Sequence, residues 1–416
     1  MIKNLYKILS STFIIFASFY LEGCIEERYL GGITDPDSEH AIVSLHLRAL
    51  DATRANDNDV EEKISSLRVI MIDEEGTIEC NELIEEKDFH NNPSDIEDLY
   101  YFLRITSPGI KNFYLFANED HFISVNKNDD TIEIEETSLG SLLKEYRPGE
   151  SHGKDLEDLL ETIFFTPDYE ISGKEITLPY SCHYKLDMQA GVRYDRPMWL
   201  VPVATKFYFN FTNNRSHDVE ITKLGIPNSV SRNYVLGNVG KSQQQMIIGD
   251  LELYWVDWLA EIVRLSNIQS SFESNVNLNE KYGWISDYKI PTFNNSFKET
   301  EFEIGEEKIV PGRTENGGGY LPTPGRKSFG PFYLPETRFP LNGDEQVYHL
   351  NLQLNDTDPS TTLTQLDPIM LTNVKSLFRN TKVVINITMN EGTDDIYVEI
   401  RSWNSSDIYF GTANKQ

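Results

Sequence analysis

Gly149-Glu150-Ser151-His152-Gly153 has the Gly-x-Ser-x-Gly spacing of a serine hydrolase, in which a strained strand-to-helix turn presents the serine hydroxyl as nucleophile. Such a turn needs a buried strand feeding into it. The residues ahead of it, Leu142-Leu143-Lys144-Glu145-Tyr146-Arg147-Pro148, do not make one, so the stretch reads as a plain turn. Gly237 to Ser242 ends like a phosphate-binding loop, but Val235 stands where the first glycine of that motif belongs. Asn355-Asp356-Thr357-Asp358 offers oxygens to calcium without the twelve-residue loop that would wrap the ion, and reads as a solvated loop. The histidines are scattered, and no Cys-x-x-Cys or His-rich spacing points to a metal. No catalytic residue, cofactor or metal ligand is assigned, and the reading is not that of an enzyme.

Cys24 is different. Lys3 and Lys7 precede an apolar run from Ile8 to Leu21, interrupted by Ser10, Ser11 and Thr12 and too short for a membrane span. The run ends in Leu21-Glu22-Gly23-Cys24, which resembles the bacterial lipobox: cleavage between Gly23 and Cys24 leaves the cysteine as the lipidated first residue. Residues 1–23 are therefore expected to be a lipoprotein signal peptide. Glu26 and Glu27 directly behind Cys24 are similar to acidic export tags, and 24–40 reads as a flexible tether. Cys80 and Cys182 are left either to form one disulfide in an oxidising envelope or to remain buried thiols.

The remaining chain must supply the fold. A formal charge of −29 excludes nucleic acid as a partner, because phosphate ligands require a basic footprint. With 416 residues, 39% of them hydrophobic, two domains with real cores are expected, at 41–193 and 194–416. Val43, Leu45 and Leu47 alternate with Ser44, His46 and Arg48, the pattern of a half-buried strand. Leu67 to Ile72 is apolar on both faces and reads as a central strand closed by a turn at Asp73–Gly76. Ser94-Asp95-Ile96-Glu97 has capping-box spacing and predicts a helix with Ile96, Leu99, Tyr100 and Leu103 inward. Asp155 to Leu160 predicts a short amphipathic helix, and Gln244 to Leu265 a second helical stretch. Further strands are expected at 111–118, 131–135, 201–211, 219–226, 332–334, 347–354, 382–389 and 395–401. Long surface loops are expected at 267–300 and 311–330. Many short strands between Asn/Gly/Pro turns make the chain mainly β: antiparallel β-sandwiches with short helical insertions.

Taken in order, several of these pieces resemble the fimbrillin family, the lipoprotein subunits of type V pili. Ser66-Leu67-Arg68-Val69-Ile70-Met71-Ile72-Asp73 is similar to that family's S-L-R-V strand, and Phe113-Tyr114-Leu115-Phe116-Ala117-Asn118-Glu119 to its aromatic-A-N-E strand end. Val203-Ala204-Thr205-Lys206-Phe207 resembles the A-K strand that opens its second domain. Tyr333-Leu334-Pro335-Glu336 and Arg379-Asn380 are similar to its late P-E and R-N signals, and Tyr397 to Trp403 to its terminal strand. Thr205 interrupts the A-K pair, and Lys382 stands where an aromatic is more usual.

The resemblance implies two transthyretin-like sandwich domains and polymerisation by strand exchange. A trypsin-like protease would remove the first strand, and a neighbouring fimbrial subunit would donate a replacement. On that basis Arg54-Ala55, in the polar stretch 51–59, is the expected processing site. Val43, Leu45 and Leu47 mark the strand whose place is filled, and Ile396, Val398 and Ile400 the donor. The implied location is the outer membrane, reached through the N-terminal lipid, and then the fimbrium. The competing expectation is a surface protein that keeps its lipid, as a pilus base or glycan-binding module.

Overall fold

The computed structural model describes residues 41–49, 64–85, 90–105 (without 93 and 94), 107–165 (without 121, 129, 130 and 161), 178–230, 233–236, 246–248, 251–253, 297–314 (without 307), 321–338, 348–356, 364–365, 369–371, 376–377 and 379–402 (without 392 and 393). The fold is mainly β, arranged as two compact units that divide between Pro202 and Val203. The sequence reading puts the division at 193/194, at the start of a strand.

The first unit holds β1 (Ala41–Ala49), β2 (Ser66–Asp73), β3 (Ile78–Glu85), β4 (His90–Asn92), β5 (Asp95–Ile105), β6 (Gly109–Ala117), β7 (Phe122–Asn128) and β8 (Thr131–Ser138). Helices α1 (Leu139–Leu143) and α2 (Gly153–Leu160) follow, then β9 (Ile163–Phe165), β10 (Tyr180–Met188) and β11 (Arg193–Pro202). The main sheet runs β3-β2-β6-β10-β11-β1-β5-β4. Its two halves meet at a narrow seam, where β10 and β11 pair only at Tyr180↔Pro202 and Ser181↔Val201. A smaller sheet joins β7 to β8 and β9.

β2 is central, as its two-faced apolar sequence predicts: Leu67 to Ile72 are all buried, between β3 and β6. Asp73 turns the chain into β3 by accepting Glu75 and Thr77 amides on one carboxylate oxygen, with Gly76 at φ 89°. The helix α2 lies where Asp155–Leu160 predicts one, with Leu156 and Leu160 buried at i, i+4 spacing. Its first residue must be glycine: a Cβ on Gly153 would come 2.4 Å from Ile72 Cγ2 and 2.7 Å from the Gly76 carbonyl oxygen.

The first expected helix is not found. The capping-box stretch does not start a helix, because Asp95–Ile105 is the strand β5, paired with β1 on one side and β4 on the other. The three-residue cap signal is outweighed by Tyr100-Tyr101-Phe102-Leu103-Arg104-Ile105, whose aromatic and β-branched residues favour a pleated surface.

The second unit holds β12 (Thr205–Asn213), β13 (Val219–Val230), β14 (Asn233–Tyr234), β15 (Met246–Ile248), β16 (Leu251–Leu253), β17 (Phe297–Glu301) and β18 (Ile309–Val310). It continues with β19 (Gly325–Leu334), β20 (Thr337–Arg338), β21 (His349–Asp356), β22 (Thr364–Gln365), β23 (Ile369–Met370), β24 (Ser376–Leu377), β25 (Thr381–Met389) and β26 (Asp394–Ser402). One sheet runs β19-β12-β25-β26 and another β17-β13-β21-β22.

Alternation decides which face goes inward. Phe207, Phe209 and Phe211 of β12 and Val383, Ile385 and Ile387 of β25 join Ile221, Leu224, Leu350, Leu352 and Leu354 in one core. Phe302 stacks on Phe332 there at 4.6 Å. The helix expected over 244–265 is not found in its described part: Met246–Ile248 and Leu251–Leu253 pair as β15 and β16. Residues 254–265 lie outside the described residues. Of the expected loops, the last residues of 267–300 enter β17 and those of 311–330 enter β19.

Candidate functional site

The strand expected to be exchanged sits inside a sheet. β1 runs parallel to β11, from Ile42↔Arg193 to Ala49↔Leu200. On its other side it runs antiparallel to β5, with Val43↔Leu103, Leu45↔Tyr101 and Leu47↔Leu99. Among the described residues, β1 is thus the element that joins β11 to β5. Its removal would leave two ladders facing an empty lane, each with unpaired backbone groups. Pro197, level with His46, is tolerated in β11 because β10 engages that strand only at Val201 and Pro202.

The expected donor lies at a sheet edge. Among the described residues β26 pairs with β25 alone, through Ile396↔Ile387, Val398↔Ile385 and Ile400↔Val383. It has the same length as β1 and repeats its order of residue types. Val43-Ser44-Leu45-His46-Leu47-Arg48-Ala49 matches Ile396-Tyr397-Val398-Glu399-Ile400-Arg401-Ser402 level by level, down to an arginine followed by a small residue. Gly23, Cys24, Arg54 and Ala55 lie outside the described residues, as does Gly237–Ser242.

The residues with catalytic spacing form no site. Gly149 has φ 87° in a turn, Ser151 is exposed, and His152 pairs with Asp155 at 3.1 Å on an exposed surface. No group of three or more His, Cys, Asp or Glu that could hold a metal occurs among the described residues. Cys80 and Cys182 are both buried thiols. Cys80 lies on β3 and Cys182 on β10, three strand spacings apart, or about 14 Å at about 4.8 Å each, beyond the reach of a disulfide. Burial pushes the Cys182 thiol well up.

Two buried ion pairs escaped the sequence reading. Arg68 on β2 donates to Glu119 at 2.5 and 2.7 Å and to Asn81 at 2.8 Å, while Asn81 donates to the carbonyls of Leu143 and Tyr146 below α1. Arg379 donates to Glu336 at 2.8 Å and to the carbonyl of Tyr234 at 2.8 Å, and both members of that pair are buried. The signal was present, since Arg68, Glu119, Glu336 and Arg379 all fall in the stretches that resemble the family. Alternation along one strand cannot say which distant acid meets which arginine. A third polar seam ties α2 to its sheet: Glu157 accepts from Asn112 at 2.8 Å and Tyr114 at 3.1 Å, and His183 stacks on Tyr114 at 4.1 Å. Burial raises the Glu157 pKa against those two hydrogen bonds. Burial, with Lys185 nearby, lowers His183 to about 3.

No family model matches the sequence, and neither does any curated protein. Among solved structures, the chain is similar to the tip fimbrial protein Mfa3 of Porphyromonas gingivalis with a C-terminal truncation, at 10% identity and TM-score 0.46, over 88% of this chain and 100% of that one. It is also similar to the fimbrilin FimA of Porphyromonas gingivalis W83, at 11% identity and TM-score 0.41, over 87% of this chain and 97% of that one. A third likeness is to a fimbrial assembly protein of Parabacteroides distasonis, at 7% identity and TM-score 0.41, over 87% of this chain and 97% of that one.

Proposed function

We propose that this chain is a fimbrial subunit, exported as a lipoprotein and polymerised by donor-strand exchange. One observation carries the reading: β1 occupies an interior lane, and β26, at an edge, repeats its pattern of side chains. A trypsin-like protease hydrolyses the Arg54–Ala55 peptide bond and releases residues 24–54, which carry both the Cys24 lipid and β1. Freed from the outer membrane, the subunit then has an open lane between β11 and β5. The β26 strand of a second copy enters it with Ile396 at the level of Val43, Val398 at Leu45 and Ile400 at Leu47. The lane regains three apolar side chains, roughly 1.5–3 kcal/mol each relative to leaving it open, set against the places β26 gives up level with Ile387, Ile385 and Val383 and the cost of association. Ladder hydrogen bonds to two neighbours, in place of one, fix the register.

A second reading keeps the lipid. With β1 and β26 both paired within their own chain, the uncleaved protein is a complete monomer suited to a permanent surface anchor, as a pilus base or glycan-binding module. Arg54→Ala separates the two. Polymers of the wild-type protein should lack residues 24–54 by intact mass, and the variant should accumulate as a lipidated monomer. Polymers that retain 24–54 would overturn the exchange mechanism.

A further inference from the structure

Each unit turns one corner on an asparagine. Asn118, directly after β6, has φ 56°, and Asn380, directly before β25, has φ 59°; among the described residues no other non-glycine residue has positive φ. The backbone amide of each donates to a carbonyl at the start of a neighbouring strand. Asn118 reaches Ser66 of β2 at 3.1 Å, and Asn380 reaches Ala204, one residue ahead of β12, at 2.9 Å. Each is also joined in sequence to one member of a buried ion pair, Asn118 to Glu119 and Asn380 to Arg379.

The two side chains fare differently. Asn118 is 2% exposed; its Oδ1 accepts from the Ser65 amide at 2.9 Å and the Ser65 hydroxyl at 3.0 Å, and its Nδ2 donates to the Leu178 carbonyl at 2.7 Å. Asn380 is 4% exposed, yet its Oδ1 is buried with no hydrogen-bond partner. The backbone is pinned on both sides of it. Arg379 donates its amide to Glu336 at 3.2 Å and its guanidinium to Glu336 and the Tyr234 carbonyl, both at 2.8 Å. Thr381 begins the β25 ladders, level with Thr205 on one side and Ser402 on the other. A buried amide oxygen without a donor costs free energy that an arriving donor recovers.

The register shows what is within reach. Ser402 ends β26 level with Thr381, so covalent spacing keeps the Cα of Trp403 within about 13 Å of that of Asn380. Trp403-Asn404-Ser405-Ser406 supplies backbone amides and two hydroxyls, the donor types that Ser65 brings to Asn118.

We propose that Asn380 is a receptor site for a serine-bearing peptide, and that its occupant is the chain's own segment 403–406. An amide or hydroxyl of that segment donates to Asn380 Oδ1 and latches the end of β26 to its sheet, as Ser65 closes the corner at Asn118. The consequence for assembly rests on the strand-exchange reading: a latched β26 stays at home, and a strand whose tail has left Asn380 is the one that transfers. The latch itself does not depend on that reading.

Amide hydrogen exchange of residues 396–400 tests the latch in four monomeric proteins: the full-length chain and a chain ending at Ser402, each with and without Asn380→Gly. Glycine adopts positive φ freely, so the substitution removes the side chain and spares the corner. Loss of the tail should lower protection by about 3–10-fold when Asn380 is present, and by less than about 2-fold in the Asn380→Gly background. A synthetic peptide of residues 403–410 should restore protection to the shortened chain only when Asn380 is present. Equal losses in both backgrounds, or no loss in either, would overturn the latch. Protection that rises with protein concentration would put a second copy on Asn380 and overturn the assignment to the chain's own tail. After cleavage behind Arg54, the Asn380→Gly protein should polymerise faster than wild type; an unchanged rate would overturn the link to assembly. Polymerisation of neither would overturn strand exchange and leave the latch standing on its exchange data.

Discussion

His183 and Glu157 respond to acid in opposite directions. His183 is held at about 3, far below the usual 6.5 of histidine, so the unfolded chain takes up a proton that the folded one refuses. Its contribution is present above pH 6.5 and is lost as pH falls toward 3, at about 1.4 kcal/mol per pH unit and up to about 5 kcal/mol. Glu157 is raised, so the folded chain holds its proton more tightly; that contribution is present at low pH and is lost as pH rises through its folded value. His183 has the larger shift. Urea unfolding at pH 7, 5.5 and 4 should therefore show a steeper loss of stability in the wild type than in His183→Phe, which keeps a ring against Tyr114. Parallel losses in the two proteins would contradict this account. The buried pair in the other unit gives a sharper effect. Glu336→Gln leaves the Arg379 guanidinium buried without its counter-charge and should cost about 3–5 kcal/mol in chemical unfolding, since both partners are almost fully shielded from water.

At the scale of elements, α2 is held by backbone contact at its first residue. Gly153→Ala would press a methyl group into Ile72 Cγ2 and the Gly76 carbonyl oxygen. The expected loss is about 1–3 kcal/mol, despite alanine's better helix propensity, and it should appear in thermal melting as a lowered midpoint. A rise would mean that α2 docks more loosely than it does here. The cysteines make a test of strand order. With β2 and β6 between the strands of Cys80 and Cys182, denatured protein of the Cys24→Ala variant should titrate two thiols per chain without added reductant. A titre of zero would require a different order of strands. The same variant tests the lipid: no label from a radioactive fatty acid should enter it, and equal labelling of variant and wild type would remove the lipobox reading.

For the molecule as a whole, the interior position of β1 means that the proposed cleavage after Arg54 would remove the middle of a sheet, not its edge. Once residues 24–54 are stripped away, the first unit should melt at a lower temperature than in the intact chain. A free peptide of residues 41–49 should restore most of the loss, because it regains both ladders and the levels of Val43, Leu45 and Leu47. Failure of the peptide to shift the midpoint would show that the lane closes when β1 leaves.

Much of this architecture was legible in the residues themselves, and the exceptions share a cause. Alternation and apolar runs set β1, β2, β12, β25 and β26 as strands, and in β2, β12 and β25 the apolar residues are those that meet a core. The helix α2 was legible because two leucines and a charged opposite face fall within eight residues. β5 was misread because a capping box is local, whereas a strand between β1 and β4 is stabilised by ladder bonds to residues far away in sequence. Arg68, Glu119, Glu336 and Arg379 stand in stretches that the sequence singled out, but which acid meets which arginine had no sequence signal of its own. Sequence determined that β1 and β26 carry equivalent patterns. Only tertiary structure decided that one is enclosed by two neighbours and the other, among the described residues, has a single partner, because enclosure depends on strand order in the sheet, which spacing along a single chain does not encode.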